Sequence, residues 1–112
     1  MRSSGNGTNR RRITVSVDPD LEDLVPGFLD NRRKDAAALA RAGESGDLKT
    51  VRLLGHRMKG DGGGYGFLEI SEIGEALEQA ARREDWKVIA EKTAALVAFL
   101  AQVDVVYRHE PK

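Results

Sequence analysis

Trp86, Ile89, Thr93, Leu96, Leu100, Val103 and Tyr107 recur at intervals of three, four, three, four, three and four residues. Only the interfacial seam of a long helix packed in a bundle needs that spacing, because a half-buried strand repeats every second residue. Asp85 stands where such a helix would be capped. Three shorter stripes precede it. Val25, Phe28, Leu29, Ala36, Leu39 and Ala40 form the first, with Asn31-Arg32-Arg33-Lys34-Asp35 mostly outside it and Gly43 and Gly46 at its end. Leu48, Val51, Leu54, Gly55, Met58 and Gly62 form the second behind a capping Asp47, and Ile70, Ile73, Gly74, Leu77, Ala80 and Ala81 form the third over about Leu68 to Arg83. Four amphipathic helices with short connections predict an all-α, antiparallel four-helix bundle.

The bundle is expected over residues 18–108, with Asp18-Pro19-Asp20 as a cap and short turn and Pro26 in the first turn of the first long helix. Residues 1–17 are expected to be a flexible tail and a short extended lead-in. Met1 to Arg12 are polar, contain glycine and end in three arginines that read as a solvated basic end. Ile13-Thr14-Val15-Ser16-Val17 alternates like a strand, but no second strand is evident to pair with it, so it is read as lying extended on the body.

At 112 residues the chain is long enough for one domain with a real core and too short for separate catalytic and nucleotide-binding domains. Eighteen basic residues offset eighteen acidic ones, giving no general reason to expect nucleic acid or an acidic membrane as partner. The absence of cysteine excludes disulfides, thiolate metal sites and cysteine nucleophiles. No apolar run approaches a membrane span and the first residues do not resemble a signal peptide, so a cytoplasmic, monomeric protein is expected. Carboxylate pairs with Glu-x-x-His spacing are missing from the core stripes, which disfavours a metal-binding bundle.

Wound at about 100 degrees per residue, the second helix gathers Lys49, Arg52, Leu53, His56, Lys59, Gly60 and Gly63 on the face opposite its apolar stripe. His56 therefore points outward, with an ammonium and a gap free of side chain about one turn away. Lys59 can neutralise a phosphoryl oxygen. Gly60 costs about 1 kcal/mol relative to alanine inside a helix, which a close-approaching partner explains. Gly62, Gly63 and Gly64 read equally well as a loose helix end or as functional. Leu53, outward and one turn before His56, reads either as partly buried against the first helix or as a docking contact.

The run Gly55-His56-Arg57-Met58-Lys59-Gly60-Asp61-Gly62-Gly63-Gly64-Tyr65-Gly66-Phe67 closely resembles the signature of histidine phosphotransfer domains, and the resemblance continues through Leu77-Glu78-Gln79-Ala80-Ala81-Arg82 and Phe28-Leu29-Asp30-Asn31-Arg32-Arg33. It spans roughly Asp18 to Tyr107. Met58 replaces the family's usual leucine, and Asp61 replaces a small residue, weakening the local positive field. The resemblance implies a stoichiometric phosphoryl carrier and not an enzyme: His56 as the phosphorylated nucleophile, Lys59 as the phosphoryl counter-charge, Gly60 as steric access and Glu78 as the group that orients the imidazole. Leu53, Arg52, Gly63 and Arg82 are the implied partner surface, although an ordinary helical ion pair with Glu78 is preferred for Arg82. Implied partners are response-regulator receiver domains and a sensor or hybrid histidine kinase, with Mg²⁺ brought by the receiver and no cofactor or metal held by this chain. The competing reading is a non-phosphorylated adaptor bundle that binds a receiver or kinase. His109, in the polar tail without a Lys-Gly context, is read as incidental, and Trp86 and Tyr107 as packing residues.

Overall fold

The computed structural model describes residues 12–108; the expected tail over residues 1–11 and His109 lie outside them. The described chain runs β1 (Ile13–Val17), a 3-10 turn (Pro19–Leu21), α1 (Val25–Ser45), α2 (Leu48–Tyr65), α3 (Leu68–Arg82), α4 (Trp86–Gln102) and β2 (Val103–Tyr107). Four helices among the described residues form a bundle, with α2 and α3 in the most extensive contact. Aspartates open three of the elements. Asp18, Asp47 and Asp85 each accept a backbone N–H of the turn that follows, from Asp20, Thr50 and Val88 respectively.

Met58, Val51, Ile70, Leu77 and Leu96 are fully buried in the core shared by the helices. The glycine-rich run neither frays nor ends α2, which continues to Tyr65. Gly66 ends it instead, at φ 86°, a left-handed conformation that costs glycine little. The N–H of Phe67 then donates to the Gly62 carbonyl at 2.8 Å. This turn drives Phe67 into the core, where its ring stacks on Phe28 at 5.1 Å and meets Phe99 edge-on at 6.5 Å.

Three expectations need correction. First, α4 stops at Gln102, and Val103–Tyr107 pairs in parallel with Ile13–Val17, in register from Ile13 opposite Val103 to Val17 opposite Tyr107. A four-residue interval places two side chains on one face of a strand as well as of a helix, so Val103 and Tyr107 satisfied the helical seam by coincidence while the β-branched Val103, Val105 and Val106 favour the strand. The lead-in thus has a partner, and Val17 belongs to the core. Arg12 closes this pair with a bidentate bridge to Asp104 at 2.6 and 3.0 Å. Second, Arg32 is buried although the stripe left it outside. Its guanidinium lies 4.9 Å from the Phe28 ring centre and pairs with Asp35 at 2.9 Å and Asp61 at 3.5 Å, which lets a long cationic side chain enter the α1–α2 interface. Third, Ala40 is exposed, whereas Phe99 and Ala42, outside the expected stripes, are buried.

Candidate functional site

The site lies where α2 crosses α3, and small residues set its dimensions. A Cβ on Gly74 would sit 2.5 Å from the backbone nitrogen of Lys59 and 2.6 Å from the Gly55 carbonyl oxygen, and one on Gly55 would sit 2.7 Å from the nitrogen of Glu78. The two backbones are therefore in contact. This crossing brings side chains of the outer flank of α3 within reach of the α2 residues that carry His56 and Lys59. Ser71 Oγ adds a hydrogen bond to the Lys59 carbonyl at 2.7 Å.

His56 projects into solvent, its side chain 68% exposed, while the Glu78 side chain beside it is only 5% exposed. The imidazole Nδ1 lies 3.1 Å from Glu78 Oε2. An ionised carboxylate can only accept, so a neutral His56 carries its proton on Nδ1 here and leaves the Nε2 electron pair free. Arg82 Nη2 donates to the same Oε2 at 3.1 Å. Lys59 Nζ sits 3.5 Å from Glu78 Oε1 and 2.8 Å from Glu75 Oε1.

Burial pushes the Glu78 carboxyl up, but hydrogen bonds from Arg82 and His56 and the charge of Lys59 outweigh it and hold the group below its ordinary value. The hydrogen bond and charge of Glu75 raise Lys59, and Lys59 in turn lowers Glu75. Because the folded-state value of Glu78 is depressed, its ionised form adds stability above the unfolded glutamate value of about 4.3, and that contribution is lost as pH falls through the folded value. The denaturant midpoint of the wild type is therefore expected to exceed that of Glu78→Gln at pH 7, with the gap narrowing as pH falls below about 4.3. A gap that widens in acid would contradict the ionised assignment.

The structure thus brings His56, Lys59, Glu78 and Arg82 together. Arg52 and Arg82 line a shallow concavity with Leu48, Lys49, Ala81 and Glu84. Leu53 is 49% exposed, which places it outside the core. The Cβ positions of Gly60 and Gly63 face open space on the exposed side of α2. Asp61 turns its carboxylate toward Arg32 of α1. Glu75, also on α3, has no motif that marks it in the sequence, and its pairing with Lys59 depends on how α2 and α3 cross. A separate concavity between α1 and α4, lined by Leu39, Gly43, Trp86, Ile89 and Thr93 among others, contains none of these groups.

Among the described residues no group of three or more His, Cys, Asp or Glu side chains is gathered for a metal, and no helix is long and apolar enough to cross a membrane. A family model for the Hpt domain matches residues 23–105 of the chain. Comparisons with curated proteins and with solved structures return no match.

Proposed function

The chain belongs to the Hpt domain family of two-component phosphorelays, and from that premise we propose that it carries a phosphoryl group on Nε2 of His56, taken from the aspartyl phosphate of one receiver domain and passed to another. The observation that carries this reading is the exposed imidazole whose Nδ1 faces a buried carboxylate at 3.1 Å. In the forward step the Nε2 pair forms the N–P bond as the acyl P–O bond breaks, and the receiver's aspartate leaves with the bonding pair. The ring becomes positive with its proton still on Nδ1, and Glu78 stabilises that charge. Lys59 offsets the negative charge on the moving phosphoryl group. The chain acts as a stoichiometric carrier, and α2 and α3 of one copy supply His56, Lys59, Glu78 and Arg82. Mg²⁺ belongs to the receiver, and the initial phosphate to a sensor or hybrid histidine kinase.

The test is transfer from a phosphorylated receiver to the purified chain. An acid-labile, base-stable label in the chain, lost to a second receiver on mixing, is the expected result. Stable receiver binding that survives His56→Ala, with no label transferred from any receiver, would support an adaptor instead.

Docking is proposed to centre on Leu53, His56, Gly60 and Gly63, flanked by Arg52 and Arg82. Gly60→Leu fills the open space above α2, so receiver affinity should fall on the order of tenfold or more while the isolated chain keeps or gains stability. An unchanged dissociation constant would assign Gly60 another purpose. For Leu53→Ala, binding should weaken by on the order of 1 to 2 kcal/mol. Its stability change should stay below the roughly 2 to 5 kcal/mol of a core leucine truncation. Titration calorimetry and denaturant midpoints read the two quantities separately.

A further inference from the structure

We propose that Glu75 is a positioning residue that holds the Lys59 ammonium on the α3 side of His56 and competes with the incoming phosphoryl group for it. The inference rests on the reading of His56 as the acceptor. Lys59 Nζ is 2.8 Å from Glu75 Oε1 and 3.5 Å from Glu78 Oε1, and the other oxygen of Glu78 faces Nδ1 of His56. The ammonium is thus drawn toward the carboxylates on the Nδ1 side, whereas the free electron pair of the nucleophilic Nε2, across Cε1, points away from Nδ1. Glu75 is itself fixed, because Gln79 Nε2 donates to its second oxygen at 3.3 Å.

The two carboxylates differ in what they can release. Glu78 is nearly inaccessible and anchored by His56, Lys59 and Arg82, while the Lys59 and Glu75 side chains are 43% and 46% exposed. An exposed pair of this kind is held only weakly, so a doubly charged phosphoryl group can take the lysine from Glu75. Until it does, Glu75 withholds the counter-charge, which slows acceptance.

Phosphoramidate supplies a donor that needs no partner protein. Nε2 forms the new P–N bond, the donor's P–N bond breaks, and ammonia leaves with the pair while the proton stays on Nδ1. Glu75→Gln should raise the rate of His56 labelling about two- to fivefold, the factor matching an exposed ion pair. That acceleration should largely disappear in a Lys59→Met background. In the same samples, nuclear magnetic resonance of the lysine side chains should show Lys59 titrating at lower pH in Glu75→Gln than in the wild type. An unchanged or slower rate in Glu75→Gln, an equal acceleration without Lys59, or an unmoved Lys59 titration overturns the inference while leaving the acceptor reading intact. A wild-type chain that takes no label on His56, although Lys59 titrates as expected, defeats the acceptor reading and this inference with it.

Discussion

Gly74→Ala is expected to destabilise the bundle by about 2 to 3 kcal/mol, toward the upper end of the cost of overpacking a core. Helix propensity alone argues the opposite, since alanine is favoured over glycine by about 1 kcal/mol in a helix interior. Packing wins because the added methyl meets main chain: the Lys59 nitrogen at 2.5 Å and the Gly55 carbonyl oxygen at 2.6 Å, with Met58 Cβ at 2.9 Å. None of these can move aside by changing a rotamer. Relief requires α2 and α3 to separate, which also draws Glu78 away from His56. Gly60→Ala provides the comparison, because its new methyl meets open space and should stabilise by about 0.5 to 1 kcal/mol. Denaturant midpoints of the two variants should therefore move in opposite directions. Stabilisation by both would show that the helices do not touch at Gly74.

Much of this arrangement was legible in residue spacing. Local chemistry marks helix starts, so Asp47 and Asp85 could be placed as caps from sequence, and periodicity placed Val51, Met58, Ile73 and Leu77 inside. Periodicity failed where it was ambiguous. The interval from Val103 to Tyr107 suits strand and helix alike, and parallel pairing with residues some ninety positions earlier has no local signal. Arg32 shows a second limit: a charged side chain reads as exposed until an aromatic face and two carboxylates from the folded chain surround it. At the site, the outward position of His56 followed from the helical angle. The link from Lys59 to Glu75 did not, because it joins two helices whose crossing is set by Gly55 and Gly74.

His56→Gln is expected to abolish phosphoryl acceptance, with labelling reduced to background, while the melting temperature stays close to that of the wild type. Among the described residues the imidazole makes one hydrogen bond, to Glu78, and its side chain is 68% exposed, so little packing is lost. Glutamine can still donate an amide N–H toward Glu78 but offers no nucleophilic ring nitrogen. Equal labelling of wild type and variant would remove His56 from the mechanism. Loss of labelling accompanied by unfolding would leave the chemistry unassigned, which is why circular dichroism on the same samples belongs to the experiment.

The central claim concerns one atom, and phosphorus–nitrogen correlation in nuclear magnetic resonance of the ¹⁵N-histidine-labelled, phosphorylated chain tests it most directly. With Nδ1 turned toward Glu78, the phosphorus is expected to couple to Nε2 of His56. Coupling to Nδ1, label on His109, or phosphate on a side chain other than histidine would contradict the account.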